Sequence, residues 1–281
     1  MISKAAKRSK TNQGDLALVF ARQHLSLQRA ATSVARKPSA EAVHRARVAA
    51  RRLRALLEAF GERGKRVEVR RFKRDLRALA LELAAIRQAD VLREGMHEAL
   101  NGLKGSHVPA RRRMIALLDR ECVAARRQFG THAHSLAWGE RLARLERSNS
   151  EVQALLRTRD PQTAARDMIV NSAQAFWRAR RRADQSARRL HNLRIRAKAH
   201  RYVVDALAPF VGLDARQFSI AARAVQHGIG QHLDARYARE WLSSRSENVD
   251  RKLSKVASKH LRNEGRKALK QAQRRLRSLS S

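Results

Sequence analysis

The sequence predicts an all-α protein organised as two antiparallel four-helix bundles, and three observations lead there. Helix breakers are scarce, 12 glycines and 4 prolines in 281 residues, among abundant Ala, Leu, Arg and Glu, which lose little freedom in a helix. Apolar residues recur with a helical period in long segments separated by short turns. The second half repeats a pattern of the first at a nearly constant offset. With 43 % apolar residues, a chain of this length can bury a sizeable core.

The first element is a basic tail, residues 1–12, which no apolar run follows as a signal peptide would require. A first helix is expected from Asp15 to about Lys37. Ser39 makes a good N-cap for a second, with Glu41 in the first turn where the helix dipole favours an anion. Gly61 and Gly64 stop it. A third runs from about Val67 to Leu100 and ends near Asn101, Gly102 and Gly105. Pro109 opens a fourth, reaching about Gly130. These make a first four-helix half over residues 13–135.

The stretch 131–158 is less periodic, with Gly139 and the polar Ser148-Asn149-Ser150, and 136–158 is the expected joint. Asp160-Pro161 is a strong helix start, since an N-terminal proline lacks an N–H that would have no partner anyway. A fifth helix begins there. A sixth spans about Ala187 to Leu207, closed by Pro209 and Gly212; a seventh about Asp214 to Ser243; an eighth runs from Glu247 towards the end. Residues 159–281 thus form a second four-helix half.

Charge narrows the function. Lys and Arg total 62 and Asp and Glu 25, a formal net charge of +37. Self-repulsion of that size opposes compaction unless anions screen it, so a polyanion is expected on the surface. Arginines number 49 and lysines 13. Arg offers a planar fork that grips phosphate oxygens in pairs and stays charged at any physiological pH, which favours a phosphate ligand. A single cysteine, Cys122, allows no intrachain disulfide and no multi-cysteine metal site, and fits a reducing compartment. No stretch approaches a transmembrane span, so a cytoplasmic location without membrane insertion is expected.

The repeat carries the cations. The second helix reads His44, Arg47, Val48, Arg51, Arg54 and the sixth reads His191, Arg194, Ile195, Lys198, Arg201. The offset is constant (191 − 44 = 147, 201 − 54 = 147). A second block, Ala84 and Gln88 against Gly230 and Asp234, follows at 146. On a helix, His44, Arg47, Arg51 and Arg54 share an arc of about 80° and a length of about 15 Å. Ala46, Ala50, Leu53 and Leu57 cluster beside that stripe as the core seam. Like charges at these spacings repel by a few tenths of a kcal/mol per pair, so the pattern needs a compensating anion.

At these residues the chain resembles the CHAD family, the conserved-histidine α-helical domain. The matching signals are Val43-His44, Arg47-Val48, Arg51-Arg52-Leu53-Arg54, Arg87 with Asp90-Val91, His191 and Arg194 with Lys198 and Arg201-Tyr202, then Gln226, Gly230 and Asp234. The resemblance runs from about residue 12 to about 278, and implies a single domain over 13–281. It implies two pseudo-symmetric bundles whose basic residues line a central groove, and binding of inorganic polyphosphate, often at polyphosphate granules. The implied ligand-binding residues are His44, Arg47, Arg51, Arg52, Arg54, His191, Arg194, Lys198 and Arg201, with Asp90, Gln226 and Asp234 orienting them. Ala84 and Gln88 depart from the family's Gly and Asp, which leaves that contact less well defined in the first half. No acidic, β-rich segment of the kind often fused to this domain is present, and no catalysis is expected to transfer.

Other readings compete. A protein this basic binds DNA or RNA at low salt whatever its true ligand. Stacking aromatics are scarce, however, with Phe176-Trp177 and Trp241 isolated. His132, His134, His227 and His232 invite a metal reading, but no acidic or cysteine partner sits at ligand spacing, so neither metal nor cofactor is expected. No nucleophile elbow, phosphate-binding Gly loop or acidic metal cluster is found. Cys122 reads as a small buried hydrophobe. The basic C-terminal helix, Lys252 to Arg277, could lie on an anionic surface or pack on the bundle.

Overall fold

A computed structural model describes residues 15–101, 107–183, 186–214, 216–245 and 249–278. The basic tail and the turn at Gly102 and Gly105 lie outside the described residues. Ten α-helices, and no strands among the described residues, form the fold. They are α1 (Leu16–Arg36), α2 (Ala40–Glu58), α3 (Val67–Glu82), α4 (Ala84–Leu100), α5 (Val108–Ala133), α6 (Leu136–Arg157), α7 (Pro161–Arg181), α8 (Ala187–Leu207), α9 (Arg216–Ser244) and α10 (Arg251–Ser278). Short 3-10 turns follow α2 (Gly61–Lys65) and α8 (Ala208–Phe210).

Side-chain caps set several starts. The Asp15 carboxylate accepts from the Ala17 N–H at 2.8 Å. Ser39 accepts from Ala42 at 3.2 Å, Asp160 from Thr163 at 2.7 Å, and Ser186 from Arg189 at 3.3 Å. Each satisfies a donor that the first turn leaves orphaned. Gly61 takes φ +64°, the left-handed conformation that turns the chain out of α2.

Two elements differ from the sequence reading. The expected third helix breaks at Leu83 (φ −85°, ψ 0°), whose N–H reaches back to the Leu79 and Leu81 carbonyls. No Gly or Pro marks this break, and Leu83 is fully buried. The expected joint, 136–158, is instead the 22-residue helix α6, capped by Ser135. Trp138, Leu145, Val152 and Leu156 are in the core, and Ser148 and Asn149 are buried with them. Helix α6 docks on α1 and α3, with Arg141 Nε donating to the Glu82 carboxylate at 2.7 Å. Its weak periodicity in sequence reflects polar groups that tertiary packing tolerates.

The repeat is visible as architecture. Helices α1 and α7 are each 21 residues, and α2 and α8 begin 147 residues apart (187 − 40). The segment occupied by α3 and α4 in the first half is the single long helix α9 in the second. The cores interlock across the halves. One cluster joins α1, α2, α3 and α6 with Met168 of α7 and Tyr202, Val203 and Leu207 of α8. A second joins α4 and α5 with the later part of α9 and the start of α10. A third holds Phe176, Leu193, Val225, Ile229 and Ala272 of α7 to α10. Burial on this scale, at about 25 cal/mol per Å² of apolar surface, opposes the repulsion of a +37 chain. It fixes α2 against α8.

Candidate functional site

The expected core seam of α2, Ala46, Ala50, Leu53 and Leu57, is fully buried, which turns the adjacent cationic stripe out of the core. The corresponding stripe of α8 faces it. Between them lies a groove of about 620 Å³ lined by His44, Arg47, Arg51 and Arg54 of α2, His191, Arg194 and Lys198 of α8, Arg87 of α4, and Asp234 and Tyr237 of α9. The carboxylates of the lining are Glu58 and Asp234, against six Arg and Lys side chains. Both are engaged: Glu58 holds Arg54 at 3.3 Å and Arg196 at 2.9 Å, and Asp234 stands 3.7 Å from Arg194. A cationic surplus remains.

Local structure explains how each half presents its arginine. In the second half a Cβ at Gly230 would lie 3.0 Å from the Arg194 guanidinium, so only a glycine lets that group lie flat on α9 beside Asp234. In the first half Ala84 and Gln88 provide neither the space nor the charge. Arg47 instead donates to the carbonyl of Ala80, in the last turn of α3, where the helix ladder runs out. The break at Leu83 and the departure from the repeat meet at Arg47, where the Ala80 carbonyl at the end of α3 takes the place of a carboxylate at position 88. Arg51 Nε donates to the Arg47 carbonyl at 3.2 Å, which leaves the rest of its guanidinium to the groove.

Crowding lowers the proton affinity of these cations. Burial, then the Arg194 and Arg51 guanidinium groups, bring the Lys198 ammonium from its ordinary 10.5 down to about 7, with Asp234 opposing. Burial, Arg51 and Arg87 bring Arg47 to about 10. Arg51 is lowered by burial and by Arg194, Arg87 and Arg201. At the rim, His44 is lowered by partial loss of solvent and then by Arg87 and Arg51, His191 by the same loss and then by Arg194 and Lys198. An anion in the groove would oppose the repulsive part of these shifts, because it supplies opposite charge.

Other sequence-predicted residues lie off the lining. Arg52 and Arg201 stack on the Tyr202 ring, at 5.7 and 4.5 Å from its centre. Arg201 also pairs with Asp205 at 3.1 Å, so these two guanidinium groups wall the groove from behind. Asp90 is buried and paired with Arg126 of α5, holding α4 on α5 and touching no groove cation. Gln226 sits on α9 outside the lining, its amide oxygen buried and without a hydrogen-bond partner. Sequence reasoning did not assign Arg87, Tyr237 or Glu58 to the site. Arg87 follows the break at Leu83 and has the uncharged Leu233 at the offset of 146, so no repeat marked it.

Cys122 and His132 are structural. Cys122 is buried, and burial raises its thiol's pKa. His132 packs edge-on against Phe129 and Trp138 and approaches Glu82 at 3.5 Å. Among the described residues no three His, Cys, Asp or Glu side chains gather as metal ligands would. No described helix is long and apolar enough to cross a membrane.

Comparison with known proteins bears on the same residues. No curated protein matches the chain. Solved structures that share its fold include two helical proteins. The CHAD domain from the plant Ricinus communis superposes with a TM-score of 0.71 at 21 % identity, covering 92 % of this chain and 91 % of that one. PptA from Streptomyces chartreusis gives 0.60 at 20 % identity, covering 92 % and 98 %. The family model of the CHAD domain matches residues 19–243, which include both cationic stripes and the groove between them. This chain belongs to the CHAD domain family.

Proposed function

We propose that the central groove binds inorganic polyphosphate without hydrolysing it, and that this binding directs the protein to polyphosphate granules in the cytoplasm. The observation that supports the reading is the convergence of two repeat-related cationic stripes on one groove whose carboxylates are already engaged. A linear polyphosphate carries one negative charge per inner phosphate and no bulky groups, so it can enter a slot walled on both sides. Each phosphate meets a new cation, and linked contacts raise the effective concentration of the next, so long chains bind more tightly than triphosphate. Release of counterions adds to the affinity and makes it salt-dependent.

The test is charge reversal at the centre of each wall. The Arg51→Glu/Lys198→Glu double variant is expected to lose tight polyphosphate binding while its far-ultraviolet circular dichroism stays helical. Unchanged affinity in a folded double variant refutes the assignment. The rival reading, a non-specific DNA or RNA binder, predicts that duplex or single-stranded DNA displaces long-chain polyphosphate at about 0.15 M salt, where non-specific nucleic-acid binding is already weakened.

A further inference from the structure

A second concave surface lies on the other side of α9. A slot of about 730 Å³ runs between α9 and α10, lined by His232, Arg236 and Arg239 on one wall and Ser258, Arg262 and Arg266 on the other. The central groove uses Leu233, Asp234 and Tyr237 of the same helix. At 100° per residue these two sets point about 150° apart, so α9 separates two cavities. The close approach of α9 and α10 comes from glycine: a Cβ at Gly265 would lie 3.2 Å from that of Ala235, and one at Gly228 only 2.5 Å from the Ala268 carbonyl.

The slot's charge is uncompensated. Its one carboxylate, Glu240, is taken by Arg236 at 2.7 Å. Among the described residues, Arg239, Arg262 and Arg266 have no carboxylate within ion-pair distance. His232 donates its Nδ1 hydrogen to the Gly265 carbonyl at 3.0 Å, since a carbonyl can only accept, and this orients the ring. Beyond the slot the cations continue along α10: Lys252, Lys255, Lys259, Arg262, Arg266 and Lys270 are all exposed. They share an arc of about 80° over about 27 Å of helix. Glu264, the only carboxylate of α10, lies on another face and pairs with Lys267 at 2.8 Å.

We propose that this slot and the cationic ladder leading from it form a second track for polyphosphate, so that one molecule holds two chains, or two stretches of one chain, on opposite faces of α9. The proposal rests on the reading of the central groove as a polyphosphate site and extends it from binding to cross-linking. A thin, unbranched polyanion meets both walls of a slot between close-packed helices. A nucleic-acid duplex carries its phosphates on a broad convex surface and meets the rims alone. No Phe, Tyr or Trp side chain lines the slot on which single-strand bases could stack.

Titration calorimetry with a short, size-selected polyphosphate counts the tracks. Two chains are expected per wild-type molecule, one for Arg239→Glu/Arg262→Glu/Arg266→Glu, and one for Arg51→Glu/Lys198→Glu. With long chains, light scattering is expected to show cross-linked particles that hold several polyphosphate chains for wild type, and particles of a single chain for either variant. The milder Arg262→Gln/Arg266→Gln variant, with its melting temperature checked, gives the same answer if triple charge reversal disturbs folding. One chain per wild-type molecule overturns the proposal, as does a second chain that survives both slot variants. Displacement of the second chain by duplex DNA at about 0.15 M salt also overturns it. Two chains on the central-groove double variant instead refute the central reading, so the two failures are distinguishable.

Discussion

Raising the pH from 6 to 9 is expected to weaken polyphosphate binding through one side chain, Lys198. In the free protein its ammonium titrates at about 7, because burial and the neighbouring Arg194 and Arg51 disfavour the charge. In the complex, phosphate oxygens favour the charge and return it towards its ordinary 10.5. Binding therefore takes up a proton wherever free Lys198 is neutral. The contribution of Lys198 is full below about pH 7 and falls about tenfold per unit above it, about 1.4 kcal/mol each, until the pKa of the bound form is reached. Between pH 7 and 9 that amounts to a loss of roughly 50-fold.

Calorimetry of a long polyphosphate, whose inner phosphates do not titrate in this range, measures both quantities. Repeating it in buffers of different ionisation enthalpy should show uptake of about half a proton at pH 7 from Lys198, rising towards one at pH 8. Neutral His44 and His191, also lowered in the free protein, add uptake at the acidic end. Lys198→Arg keeps the positive charge but removes the titration, and should flatten the profile above pH 7. An affinity that stays level from pH 6.5 to 9 in wild type would refute this reasoning, and so would an equal slope in Lys198→Arg.

Three further expectations separate structural from functional roles. Gly228→Ala forces a Cβ to within 2.5 Å of the Ala268 carbonyl, a backbone atom that cannot swing aside, and should lower stability by about 1–3 kcal/mol in urea unfolding. Gly230→Ala meets only the movable Arg194 guanidinium at 3.0 Å, so it should leave the urea midpoint nearly unchanged and weaken polyphosphate binding. Arg126→Leu strands the buried Asp90 carboxylate and should cost about 3 kcal/mol or more by the same measurement, with groove affinity per folded molecule preserved.

The helical class, several caps and the repeated stripe were legible in the sequence, because each depends on neighbours three or four residues away or on a single turn. Ser39 and Asp160 cap through their own local bonds. The periodicity of Ala46, Ala50, Leu53 and Leu57 alone decides which way His44, Arg47 and Arg51 turn. The charge of +37 favours anionic partners whatever the fold.

Contacts between distant segments decided the rest. Nothing local interrupts the chain at Leu83, where α3 ends and its Ala80 carbonyl meets Arg47. Gly228 and Gly230 are breakers by composition, yet they lie inside unbroken α9 because Ala268 and Arg194 press against them. Helix α6 is hard to read in sequence because its stability comes from burial against α1 and α3. The proton affinity of Lys198 was likewise beyond sequence, since it arises from charges up to 147 positions away that packing brings together. Sequence sets what a segment prefers within a turn or two of helix. The meeting of α2 with α8 is long-range, and only the summed burial of the interlocked cores holds those repelling cations around one groove.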